Sequence, residues 1–289
     1  MRKSVGILVG FFLVLVSLGT AVAQQPGLNQ PPKVLLIIRE FLKPGKDGMP
    51  HERTESAFVQ ALSRAKEPVH YLGMNSLSGK TRALFLVPYD SFEAWEKDRR
   101  WVEHNPALSA ELDRATVVDG ELLESVDQGA FTYSEEYSYH PAVNMAQMRY
   151  FEIEVFQTRP GHHAEWDEAV KLVKAAYDKA LPDAHWATYQ AILGGRERYI
   201  VFTPMKSLAE LDQEMTANNS FMAAMGMDGM KRLEELTAAG IESTETNLFA
   251  FNPKMSYISE DWIKADPAFW KPKAEPAAAK KPVEKPAAN

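Results

Sequence analysis

Two glutamates, two histidines and a few aromatic side chains are the residues of this 289-residue chain whose types and spacing could do chemistry. In RYFEIEVF, Arg149 to Phe156, the apolar Phe151, Ile153 and Val155 alternate with Tyr150, Glu152 and Glu154. A strand sends the two sets to opposite faces. If the apolar set packs beneath helices, Glu152 and Glu154 point into the interior, roughly 7 Å apart at one strand step of two. Carboxylates so placed raise one another's pKa, which suits a general acid/base; on a half-exposed edge strand both would be solvated. AHWATYQAIL puts His185 and Tyr189 on one face, with Trp186 and Gln190 on the other. Histidine moves protons near neutral pH, and a neighbouring aromatic can stack a flat ligand, although Trp and Tyr on a strand also serve as core. His70 stands 116 positions before Trp186. The catalytic candidates are therefore Glu152, Glu154, His70 and His185. The ligand-binding candidates are Trp186, Tyr189, Gln190 and Tyr150.

Two further groups offer metal-ligand types. His162-His163-x-Glu165 opens a helical pattern, but adjacent side chains on a helix do not face one another, since neighbours are three or four residues apart. Met222, Met225, Met227 and Met230 could hold Cu(I) or fill a packed helix face. No metal site and no cofactor is assigned. Cysteine is absent, which excludes disulfides and thiolate chemistry. There is no G-x-S-x-G elbow, no P-loop and no dinucleotide fingerprint, which argues against ATP- or NAD-dependent reactions.

The elements that must position these residues occur twice. LFLVPYDSFEAWEKD (Leu84 to Asp98) and IVFTPMKSLAELDQE (Ile200 to Glu214) share a strand, a proline and a serine before an amphipathic start, with Pro204 and Ser207 lying 116 positions after Pro88 and Ser91. Pro44-Gly45 and Pro160-Gly161 keep that offset, as do Gly79 and Gly195, and Arg82 and Arg198. ESVDQGAFTYSEEYSY and ESTETNLFAFNPKMSY, from Glu124 and Glu242, are offset by 118. The pattern predicts strands near 34–42, 69–77, 81–88 and 121–133, with helices near 50–66 and from Ser91 to about 116, broken at His104-Asn105-Pro106. The second half predicts strands at 148–158, 184–193, 196–204 and 241–251. Its helices fall at 162–180 and from Ser207 to about 238, the latter in two pieces. The order β-α-β-β-α-β is ferredoxin-like, an antiparallel sheet with helices on one face. VLLIIREFL is apolar on both faces, so its other face must also be buried. Two units in one chain can bury those faces against each other.

With those residues in view, the chain resembles a tandem member of the dimeric α/β-barrel superfamily, which includes antibiotic-biosynthesis-type monooxygenases and NIPSNAP-like proteins. The resemblance spans about residues 33–258. It rests on first strands ending at Pro44-Gly45 and Pro160-Gly161, and on the PYDSFEAW and PMKSLAEL junctions. It implies an α+β fold of two tandem repeats forming an intrachain pseudo-dimeric α/β barrel, with a pocket between the sheets and the helices. Family activities include cofactor-independent oxygenation, isomerisation and haem handling. The haem-degrading branch needs a helix histidine, a tryptophan and a strand asparagine. Here His104 precedes Asn105-Pro106, Arg39 and Glu40 stand where the asparagine would be, and the second half has Leu211 where the first has Trp95.

The chain ends bear on location and partners. Arg2 and Lys3, the apolar Val5 to Leu18 and Ala21-Val22-Ala23 read as a secretory signal peptide, residues 1–23. This predicts export to the periplasm or the extracellular space, with no stable membrane span after cleavage. Removing Arg2 and Lys3 takes the net charge from −7 to −9. The tail from Lys271 to Asn289 holds five lysines and two glutamates, so the body between carries about −12. That argues against nucleic-acid binding, which needs a basic face. The tail cannot build a core and should be disordered, either a spacer or a weak contact with an anionic envelope. The expected organisation is a signal peptide, repeats at 33–139 and 140–258, a docking segment at 259–270 and the tail at 271–289. The function classes are a small-molecule-binding or scaffold protein, a cofactor-independent monooxygenase or isomerase acting on a small apolar or aromatic ligand, and an envelope interaction protein.

Overall fold

The first strand shows how the chain is organised. In β1 (Val34–Leu42), Leu35 and Ile37 belong to the central core, while Val34 and Leu36 pack with Tyr89 and Trp95 on the other side. Both faces are buried because a barrel lies on one side and helices on the other. The computed structural model describes residues 29–271. The expected signal peptide and the tail beyond Lys271 lie outside the described residues. No helix among the described residues is long and apolar enough to cross a membrane.

After β1 come α1 (Met49–Ala65), β2 (Leu72–Ser76), β3 (Arg82–Tyr89), α2 (Phe92–Glu103), α3 (Pro106–Gly120) and β4 (Leu123–Tyr139). A short 3-10 turn, Met145–Gln147, leads to β5 (Tyr150–Thr158), α4 (His163–Ala180), β6 (Trp186–Leu193), β7 (Arg198–Met205), α5 (Ala209–Gly240) and β8 (Ile241–Phe251). The chain finishes with α6 (Glu260–Ala265) and α7 (Pro267–Trp270). Local chemistry sets the boundaries. The Ser91 hydroxyl accepts a hydrogen bond from the Ala94 amide at 3.1 Å, capping α2. Asn105 caps α3 in the same way, and Pro106 occupies its first turn. In α5, Gly226 at φ 70° interrupts the helical backbone.

The strands close into an antiparallel barrel in the order β1-β3-β2-β8-β5-β7-β6-β4. Two strands join its halves: β4 pairs with β1 and β6, and β8 with β5 and β2. The expected strand near 121–133 is longer than its pattern suggests, because β4 continues to Tyr139 opposite Trp186. The extension is held by side chains. Tyr137 donates to Asp167 at 2.6 Å, and the Ser138 hydroxyl accepts from the Thr188 amide at 2.9 Å. The Met222–Met230 segment is not one packed face, since Met222 and Met227 are exposed. Segment 259–270 docks, and Trp270 is buried in the central core with its indole N–H donating to the Ala146 carbonyl at 2.7 Å.

Candidate functional site

A cavity of about 150 Å³ opens at one end of the barrel interior. It is therefore inside the barrel, not between sheet and helices as expected. Its floor consists of inward side chains of six strands: Leu35, Leu72, Leu86, Phe151, Tyr189 and Phe202. Pro88 and Pro204, the prolines of the two matching junctions, also line it. Three loop segments complete the rim, among them Pro141 to Met145 and the stretch carrying Ile258 and Trp262. Apolar walls with a few polar groups are the usual chemistry of a small-molecule site. An enclosed apolar cavity of about 150 Å³ can hold a benzene-sized molecule; this one is open at its rim, so a second fused ring can extend toward the mouth.

The two histidines of the cavity come from the residues just before β2 and β6, beside the polar Asn29, Gln30 and Ser259. His70 lies in the wall and stacks on Tyr257, with ring centroids 4.6 Å apart. Burial lowers its pKa, against a backbone hydrogen bond at Pro68 that raises it. His185 also lines the cavity; its Nε2 donates to the Pro204 carbonyl at 2.9 Å, which fixes the ring at the rim. Beside it, Trp186 stacks on Tyr139 at 4.8 Å and donates to the Tyr137 carbonyl at 2.9 Å. Tyr189 is buried and stands edge-on to Phe202; burial pushes its phenol well up. The structure thus brings His70, His185, Trp186 and Tyr189 together.

The remaining candidates are placed elsewhere. The inward residues of β5 are Phe151, Ile153 and Val155, so Glu152 and Glu154 point out of the barrel, and the condition under which they would have entered it, an apolar set packed beneath the helices, is not met. The reason is that the barrel interior takes the apolar set. The glutamates share their surroundings with Glu214 of α5, which raises the Glu154 pKa after burial and Glu152 have done so. Thr246 offers Glu154 a partially compensating hydrogen bond at 3.5 Å. Tyr150 and Gln190 also alternate away from the cavity. Phe202 and Trp262 carry no signal in the sequence, and Pro88 and Pro204 stand out there only as marks of the matching junctions, not as site residues.

A smaller cavity of about 40 Å³ lies farther along the interior, bordered by Arg39, Arg82 and Arg198. Two of these charges are neutralised: Arg39 makes a two-point pair with Asp127 at 2.6 Å, and Arg82 meets Glu245 at 3.0 Å. The His162-His163-x-Glu165 group does not converge. His162 pairs with Glu165 at 3.1 Å, whereas His163 lies between the Tyr199 and Tyr137 hydroxyls at 2.8 and 3.3 Å.

No protein-family model matches the chain, and no curated protein matches it. Solved structures do. A protein of Fusobacterium nucleatum subsp. nucleatum, assigned only provisionally as a monooxygenase, is 12% identical with a TM-score of 0.48, over 76% of this chain and 93% of that one. An anthrone oxidase-like protein is 13% identical with a TM-score of 0.46, over 76% and 92%. A mutant chlorite dismutase from Candidatus Nitrospira defluvii is 13% identical with a TM-score of 0.47, over 82% and 96%. Likeness of this degree carries nothing about activity.

Proposed function

We propose that the chain is an intrachain pseudo-dimer of two β-α-β-β-α-β repeats whose barrel binds one small, largely apolar molecule beside His70 and His185. The observation that carries this reading is the cavity itself: inward strand side chains stop short of filling one barrel end, and the space left is walled by aromatic and aliphatic groups. Export, resting on the amino-terminal pattern, would place the binder outside the cytoplasm. Titration calorimetry with 1-naphthol tests the reading. Saturable one-to-one binding is expected, and Ala187→Trp, which fills the cavity from β6, should remove it. Heat that never saturates with 1-naphthol, phenol or indole, or unchanged binding by the folded Ala187→Trp variant, would count against the cavity.

A cofactor-independent oxygenase or isomerase is the second reading, favoured by the lowered basicity of His70. A neutral imidazole at the half-buried wall can accept a proton from a bound substrate. For any compound that turns over, His70→Gln should lower the rate by about 10²–10⁴-fold and change binding only a few-fold. A binder without catalysis would turn over no bound compound.

A further inference from the structure

Outside the barrel, β1, α1 and α3 bring together four side chains that neither reading above uses. Glu40, His51, Glu55 and Asp119 each offer a ligand atom within 4.8 Å of the others. Three carboxylate oxygens surround one imidazole nitrogen: His51 Nε2 lies 3.0 Å from Glu40 Oε2, 3.5 Å from Asp119 Oδ1 and 3.7 Å from Glu55 Oε1. His51, Glu55 and Asp119 are 1%, 4% and 2% exposed. A single N–H cannot serve three acceptors. The buried Glu55 Oε1, aimed at that nitrogen, has no hydrogen-bond partner. With all three carboxyls ionised, even a protonated His51 would leave two uncompensated negative charges, a costly state away from water that a bound cation would relieve.

We propose that these four residues form a binding site for a divalent first-row transition ion, zinc or manganese. Four ligands about 2.1 Å from one tetrahedral ion lie roughly 3.4 Å from one another; the three oxygens lie 3.0–3.7 Å from His51 Nε2, and small side-chain shifts would bring them to that spacing. Imidazole with carboxylates suits such ions, whereas calcium and magnesium favour all-oxygen sets. The Thr54 hydroxyl donates to Asp119 Oδ1 at 2.6 Å and is placed to orient that ligand. The fold does not itself require a polar filling. On the opposite wall, Phe156 of β5, Trp166 of α4 and Tyr199 of β7 occupy the space under the helix, with Trp166 and Tyr199 stacked at 4.3 Å. The ion would clamp α1 and α3 onto β1. No metal was assigned from the sequence because these ligands are spread from position 40 to position 119.

The test uses the full chain, dialysed against EDTA and then titrated with Zn2+, Mn2+ and Co2+. One equivalent of Co2+ should give visible d–d bands that Zn2+ displaces. At one hundred times the dissociation constant, zinc or manganese should raise the melting temperature by about 5–10 °C. Glu55→Gln, close in shape to the native side chain, should leave the metal-free melting temperature nearly unchanged and should abolish the metal-dependent rise. His162→Ala, at the surface pair, should leave that rise intact. Absence of both the cobalt spectrum and the melting shift in the wild-type chain would overturn the site. So would a Glu55→Gln or Asp119→Asn variant that binds as the wild type does. If neither variant folds, the wild-type spectrum and its displacement by zinc decide alone.

Discussion

His70 and Tyr257 stack at 4.6 Å with their planes 19° apart, joining the wall of the barrel cavity to the segment that follows β8. The Tyr257 hydroxyl donates to the Glu67 carbonyl at 2.8 Å, and its own carbonyl accepts the Tyr71 amide at 2.7 Å. The tyrosine is thus held from both ends while its ring supports the imidazole. Tyr257→Ala should weaken 1-naphthol binding roughly tenfold, about the value of one lost aromatic contact. Tyr257→Phe keeps the ring and should bind nearly as the wild type does. Equal losses in the two variants would point to the hydroxyl instead of the stack.

Glu67 should make stability fall as pH rises. Burial, then Asp98, push its carboxyl up to about 8, whereas the unfolded chain ionises near 4.5. Between those values the unfolded state releases a proton that the folded state keeps, so rising pH favours unfolding. Glu67→Gln should therefore be more stable than the wild type above pH 8 and equal to it near pH 4. His70 acts in the opposite sense: its depressed pKa makes stability rise with pH up to about 6.5. Urea midpoints measured across pH 4–9 check both signs.

Trp270 is among the largest fully buried side chains and packs against Phe251, Trp262 and Phe269. Arg149 pairs with Asp266 at the start of the same short helix. Trp270→Ala should cost about 3–5 kcal/mol of unfolding free energy. Trp270→Phe should cost less, although it leaves the Ala146 carbonyl only the long 3.4 Å contact from the Arg149 guanidinium. Chemical denaturation followed by circular dichroism measures each; a change under 1 kcal/mol for the alanine variant would mean that 259–270 is not part of the core.

Gly73 is constrained by close approach. A Cβ there would meet the Met255 carbonyl oxygen at 2.3 Å, and backbone cannot step aside as a flexible side chain can. The same glycine carbonyl accepts from Asn252 and Ser256. Gly73→Ala should destabilise by about 1–3 kcal/mol. It should also loosen the 252–257 segment, seen as faster hydrogen exchange at its amides.

The sequence by itself determined the order of elements. Apolar periodicity, Pro-Gly after the first strands and the Ser91 and Asn105-Pro106 caps are local signals, and short-range sterics and hydrogen bonds act on them directly. It also marked His70, His185, Trp186 and Tyr189 as residues worth watching. Which face of β5 turns inward was not legible, because alternation separates Phe151, Ile153 and Val155 from Glu152 and Glu154 without saying which side the barrel will occupy. Closure decided it: β4 and β8 each pair with strands from both parts of the chain. The resulting interior excludes water, so it takes the apolar set. The same closure joined His70 to His185 around one cavity. Packing of α1 and α3 on β1 gathered Glu40, His51, Glu55 and Asp119, whose distances apart in sequence carry no ligand pattern. Contacts between residues far apart in the chain follow from how whole elements bury their faces, and that is settled only when the barrel closes.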